Sequence, residues 1–281
     1  MVYDDVNIVG DRREPLRGHL EGVEGNIAIV SAESSSEGGS YALVSNVPGA
    51  QALLSSGTYG AAVYFPLYLV AVAKPASDAH LLPLEEHERA ATPNIDPAWR
   101  GRLATVYEAG VEPTDFAAYV YAMIASDTYR ERYSEALADE FPRIPFTTDP
   151  NLFAALVEHG RALMMCHLLT GKIVPTERPK LAGSGNLRLE APHYDAVTER
   201  LYINPTQYLT PVPDAVYQMK IGNYLPVDLW LRNREGRTLT RGEIATLANM
   251  VAHLRTAASE IHQINSIVGT ILESNTLLAE V

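Results

Sequence analysis

The chain has a single cysteine, Cys166. A lone thiol cannot close an internal disulfide or supply the thiolates of a zinc cluster. No stretch approaches the roughly 18 consecutive apolar residues of a membrane-spanning helix. The opening, MVYDDVNIVGDRREPLRG, does not set a basic segment ahead of an apolar one as a secretory leader does. A cytoplasmic protein with no membrane partner is therefore expected. Catalytic signatures are missing too. There is no Gly-x-Ser-x-Gly pentad for a serine nucleophile. The eight histidines form no His-Glu-x-x-His. Gly183-Ser184-Gly185-Asn186 has the glycines of a phosphate loop without the lysine that would grip the phosphates, and reads as a turn. His159 and His167 lie eight apart on an expected helix with no carboxylate pair beside them, so they read as packed or surface histidines. Cys166 faces neither a basic group nor a helix start, so an unreactive thiol is expected. No catalytic residue and no metal ligand emerges.

What is present is ordinary globular material: 281 residues, 47% hydrophobic and 20% charged, which excludes disorder as the main character. The net charge of −12 is unevenly spread. Residues 172–241 hold 10 basic and 7 acidic groups, a net of +3, while the rest holds 12 basic and 27 acidic groups, a net of −15. The overall acidity argues against indiscriminate nucleic-acid binding, because phosphate contacts need clustered Lys and Arg. The basic stretch is either a solvated loop region or a local contact surface.

The fold class expected is α+β, in four parts: a β-rich part over 1–75, a helical part over 76–171, a basic mixed strand-and-loop region over 172–241, and C-terminal helices over 242–281. These form one compact module or two closely packed subdomains. Asn26–Val30 and Tyr41–Val44 read as strands separated by a Ser/Gly-rich turn at 34–39. The run AAVYFPLYLV at 61–70 is broken by Pro66, which gives an edge strand or two short strands. Residues 71–95 read as a connector. Asp96-Pro97 and Asp149-Pro150 are helix starts with a capping carboxylate and proline at the first position. Thr114 opens a helix with Phe116, Tyr119, Val120, Met123 and Ile124 on one face. A third helix is expected from Tyr129 to Phe141, and the Asp149 helix runs to near Gly171. In the basic stretch, Asn186–Glu190 and Arg200–Ile203 read as strands and Leu229–Leu231 as a short helix after Pro226. Thr240 and Glu243 form a capping-box pattern. Beyond them Ile244, Leu247, Val251, Leu254, Ala258 and Ile261 step by three and four as a narrow seam, facing either this domain's own core or a partner.

Asn204-Pro205-Thr206-Gln207 has the asparagine and first proline of the turn with which amino-methyltransferases grip a flipped base. It lacks the second proline and the aromatic, and no cofactor loop lies upstream, so methyl transfer by this chain alone is not expected.

Six segments in order carry a resemblance: FPLYL at 65–69, DFAAYVYAMIASDTYRERY at 115–133, EFPRIPF at 140–146, LFAALVEHGRALMMCHLL at 152–169, YINPTQY at 202–208 and VYQMKIGNYLPVDLWLRNREGRTL at 216–239. Together these resemble the C-terminal specificity domain of Type ISP restriction–modification enzymes, from about residue 20 to 262. The resemblance implies a module that is not itself an enzyme. It would recognise a double-stranded DNA target for an adenine-specific methyltransferase core and a motor. S-adenosylmethionine would bind in that methyltransferase core and no cofactor in this chain. The basic stretch also supplies residue types that read base edges: Arg or Lys for guanine, Asn or Gln for adenine. The candidates are Arg178, Lys180, Arg188, Arg200, Asn204, Gln207 and Lys220. Arg232, Arg234 and Arg237 touch phosphates or cap the helix before them. The alternative is a scaffold subunit of a phage-defence complex that does not contact DNA.

Overall fold

Alternation of side chains builds the first sheet. The computed structural model describes residues 14–21, 23–32, 42–47, 62–70, 91–173, 178–221, 224–274 and 277–278. In it β1 (Ala28–Ala32) lies between β2 (Ala42–Ser45) and β3 (Ala62–Pro66), antiparallel to both. Successive strand residues point to opposite faces. Ala28 and Val30 meet Leu16 and Leu20 of helix α1 (Glu14–Glu21), while Ile29, Ala42 and Val44 pack on the helical layer. Pro66 ends β3, and β4 (Tyr68–Val70) departs to pair with β5 (Ala91–Pro93), so the apolar run is two short strands. The turn expected at 34–39 and most of the connector lie outside the described residues.

Capping carboxylates set the helices that follow. Asp96 accepts from the N–H groups of Ala98 and Trp99 to start α2 (Pro97–Val106), and Asp149 does the same for Asn151 and Leu152 at α6 (Pro150–His167). Between them α3 (Pro113–Ala125) is buried on almost every side, beyond the single face its sequence pattern shows. Gly160 allows α6 to approach it: a Cβ there would stand 2.2 Å from the Ala118 carbonyl oxygen. The one helix expected from Tyr129 to Phe141 is two, α4 (Asp127–Arg132) and α5 (Ser134–Asp139), broken at Tyr133, with Ser126 capping the first. The extended Arg143–Pro145 piece is held by the hydroxyls of Tyr129 and Tyr119, which donate to the Arg143 and Pro145 carbonyls at 2.7 and 2.8 Å.

Four strands form a second antiparallel sheet in the order β6-β9-β8-β7: β6 (Lys180–Gly183), β7 (His193–Asp195), β8 (Arg200–Asn204) and β9 (Gln207–Thr210). Only β8 was legible in advance. The strand expected over 186–190 reduces to a single bridge between Arg188 and Thr238. Helices α7 (Asp214–Tyr217) and α8 (Pro226–Arg232) follow. In place of several C-terminal helices there is one, α9 (Arg241–Glu273), 33 residues long and so about 50 Å. The Thr240–Glu243 capping box starts it. Its first half places Ile244, Leu247, Val251 and Leu254 in the core beneath the second sheet. Its second half sends Ala257, Ile264, Val268 and Ile271 into the core of the helical layer. Among the described residues no helix is long and apolar enough to cross a membrane.

Candidate nucleic-acid interface

Register divides the second sheet into two unlike faces. Leu201, Ile203 and Leu209 point inward and are wholly buried against Leu189, Val212, Val227 and α9. On the other face Lys180 stands opposite Thr210, Tyr208 opposite Tyr202, Tyr202 opposite His193, and Arg200 opposite Asp195. The rings form a row across three strands. His193 stacks on Tyr202 at 4.6 Å, and Tyr202 leans on Tyr208 at 5.1 Å. The Arg200 guanidinium lies over the Tyr208 ring at 4.5 Å and donates to the Tyr202 hydroxyl at 3.4 Å. Its cross-strand acid, Asp195, is occupied elsewhere: its carboxylate accepts from the Val197 and Thr198 N–H groups and the Thr198 hydroxyl. These bonds, the hydroxyl's first, hold the Asp195 carboxyl below the usual range, with the Arg200 charge adding to them. Sequence reasoning missed the aromatic row. Its signal was the period of two that puts Arg200 and Tyr202 on the same side of β8.

Asn204 and Gln207 have a different place, only 5% and 3% exposed. The Asn204 Oδ1 accepts from the Gln207 and Thr206 N–H groups at 2.8 and 3.1 Å, and its Nδ2 donates to the Arg188 carbonyl and to Gln207 Oε1, each at 3.0 Å. Gln207 Oε1 also accepts from the Leu187 N–H at 2.9 Å. These amides hold the β8–β9 turn and the 187–188 segment together, with both ends of the Asn204 amide and the Gln207 oxygen engaged. The Gly183–Gly185 turn packs on the same place. Gly183 has φ +86°, and a Cβ on it would stand 1.8 Å from the Thr206 carbonyl oxygen, while one on Gly185 would meet Gln207 Oε1 at 2.6 Å. The two glycines make this close contact possible.

Arg178, Lys180 and Arg188 are exposed. Lys220 is exposed as well but lies apart from the sheet, at a cavity of about 460 Å³ lined also by Tyr121, Asp127, Arg130, His167 and Gln218. None of Arg178, Lys180, Arg188, Arg200 and Lys220 makes a direct ion pair with an acid among the described residues, although Arg200 feels the charge of Asp195. Arg232, Arg234 and Arg237 differ. Arg232 pairs with Asp228 at 2.5 Å, and Arg234 and Arg237 converge on Glu243 at 3.7 and 3.1 Å. Arg234 also stacks on Trp230 at 4.1 Å and donates to its carbonyl at 3.2 Å, capping the end of α8. Hydrogen bonds from Thr240 and the two guanidiniums keep the Glu243 carboxyl ionised below its usual range. Arg234 and Arg237 therefore close the α8–α9 junction, while the Arg232 pair lies within α8.

His159 and His167 are both packed. His159 Nδ1 meets Glu260 Oε2 at 2.7 Å, and His167 Nδ1 meets the Tyr121 hydroxyl at 2.5 Å. Burial pushes the Cys166 thiol up to about 11, so it stays protonated. Among the described residues no three His, Cys, Asp or Glu side chains are placed to hold a metal.

The fold has known counterparts. It is similar to the ATP-dependent Type ISP restriction–modification enzyme LlaBIII bound to DNA, with 17% identity and a TM-score of 0.62 over 86% of this chain and 16% of that one. It is similar to DrdV in a DrdV–DNA complex, with 19% identity and a TM-score of 0.63 over 90% of this chain and 25% of that one. A nuclease-deletion mutant of the Type ISP enzyme LlaGI, in complex with a DNA substrate mimic, matches with 16% identity and a TM-score of 0.56, over 91% of this chain and 22% of that one. This chain thus spans a quarter or less of the length of each. No curated protein sequence matches it. The family model of the Type ISP C-terminal specificity domain matches residues 1–263, and the chain belongs to that family.

Proposed function

We propose that this chain recognises a specific sequence in double-stranded DNA and positions an adenine-specific methyltransferase core, with its motor, on that sequence. The chemistry then belongs to the methyltransferase core, where S-adenosylmethionine would bind and the target adenine would be flipped. This chain contributes selection. The observation that carries the reading is the sorting of cations. Arg232, Arg234 and Arg237 are engaged by acids, while Arg178, Lys180, Arg188, Arg200 and Lys220 make no direct ion pair among the described residues. Unneutralised cations are what phosphate and guanine contacts require. Asn204 and Gln207 then act by holding the β8–β9 turn, and the exposed Arg178, Lys180, Arg188 and Lys220 and the half-buried Arg200 make the contacts. The test is fluorescence anisotropy of labelled duplexes at stepped salt. The wild-type chain should bind weakly and lose affinity steeply as salt rises. Changing Lys180 or Arg188 to alanine should weaken binding to every duplex and lower the salt slope by roughly one unit. Salt-insensitive binding, or a variant of all five cations that binds as well as wild type, would overturn the reading.

A further inference from the structure

The five free cations are not equivalent, and the difference lies in what holds them. Lys180 begins an outer strand, Arg178 precedes it, and Arg188 stands on a segment outside the strands; none has a side-chain partner among the described residues. Arg200 is held on two sides. It belongs to β8, an inner strand hydrogen-bonded to both β7 and β9. Tyr208 covers one face of its guanidinium and the Tyr202 hydroxyl takes one N–H of Nη1. The two tyrosines are themselves fixed by the row that ends in His193. Asp195, the acid placed to neutralise Arg200 across the strands, has its oxygens engaged in the turn at Val197 and Thr198.

This leaves an arginine that feels the Asp195 charge across the strands but makes no direct ion pair with it, whose plane is set, and whose Nε and Nη2 N–H groups have no protein partner among the described residues. Two parallel N–H donors in a fixed plane match the O6 and N7 acceptors of guanine in the major groove. A flexible ammonium delivers charge without that geometry. Orienting the fork before binding lowers the entropy lost when the contact forms. We infer that Arg200 is the residue by which this domain distinguishes guanine, and that Lys180, Arg178 and Arg188 bind phosphate. The inference rests on the DNA-recognition reading above and assigns a chemical role within it.

The experiment is selection of bound sequences from a random duplex library at low ionic strength, using the whole chain and its Arg200→Ala, Arg200→Lys and Lys180→Ala variants. Wild type should enrich a motif containing a guanine. Both Arg200 variants should lose preference at that one position, by roughly 5- to 150-fold, and keep the rest of the motif. Arg200→Lys, which preserves the charge, separates loss of the fork from loss of charge. Lys180→Ala should retain the motif at lower affinity. Replacing the guanine with 7-deazaguanine removes the N7 acceptor, so it should weaken wild type and leave Arg200→Ala unaffected. Unchanged motifs in both Arg200 variants would overturn the assignment while leaving DNA recognition intact. Absence of any enriched motif with wild type would overturn both. Unchanged melting of the Arg200 variants is the control for folding.

Discussion

His167 should make this protein lose stability in mild acid. It lies at the end of α6, and its Nδ1 meets the hydroxyl of Tyr121, a fully buried side chain on α3. Burial raises the tyrosine's pKa far above its ordinary value, so the phenol keeps its proton and donates it to Nδ1. The second ring nitrogen, Nε2, is buried without a hydrogen-bond partner. An imidazolium there would lose most of its hydration, and this burial lowers the His167 pKa from 6.5 to about 4. The unfolded chain takes up a proton near pH 6.5, while the folded chain resists until about pH 4. Stability is therefore complete above pH 6.5, falls through the interval, and levels off below pH 4. At about 1.4 kcal/mol per pH unit the loss is roughly 3–4 kcal/mol, a large share of the roughly 5–15 kcal/mol that holds a domain folded. The assay is urea unfolding of wild type and His167→Asn at pH 7.5, 6.5, 5.5 and 4.5. Asparagine retains an acceptor for the Tyr121 hydroxyl and has no proton to titrate. The carboxylates titrate in both proteins and cancel in the difference. The variant should gain on wild type steadily as pH falls, and parallel curves would refute the reasoning.

Two further perturbations test the packing. Leu254 is 3% exposed in the core beneath the second sheet, so Leu254→Ala should cost about 2–5 kcal/mol and Leu254→Asp should abolish folding; unchanged melting of either would mean the α9 seam is free. Gly183→Ala forces a Cβ toward the Thr206 carbonyl at φ +86° and should lower stability by at least 1 kcal/mol, whereas Gly236→Ala, at φ +80° but with open space, should suffer only the conformational part.

The sequence disclosed most where a local signal and a tertiary need coincided. Asp96, Asp149 and the Thr240–Glu243 box each cap a helix because the cap is complete within four residues. Strands β6, β7 and β9 carried no such signal. Each is only three or four residues long, too short for alternation to stand out, and their pairing spans a loop that no local pattern reveals. The helix expected from Tyr129 starts earlier, because Asn265, far along the chain, accepts from Ser126 Oγ and the Asp127 N–H at 2.9 and 2.8 Å and fixes the start of α4 there. The α9 seam was legible as far as Leu254. Beyond it Ala257 takes the buried place expected of Ala258. A strict seven-residue repeat drifts against a straight helix of 3.6 residues per turn, and α9 meets a different core in its second half. The candidate site was legible as a charge excess and no further. Asn204 and Gln207 are of the type that reads adenine, yet the same amide chemistry serves a buried turn equally well, and only the fold distinguishes the two uses.

One continuous helix shared by two cores has a mechanical consequence. With its C-terminal half clamped in the helical layer, α9 carries the recognition sheet on the remaining part of its roughly 50 Å, as a boom carries a load. A tilt of about 8° at the clamp would swing the far end of that roughly 25 Å arm by about 3.5 Å, close to the 3.4 Å between successive bases on one strand. On the DNA-binding reading, the stiffness of that clamp decides which base Arg200 meets.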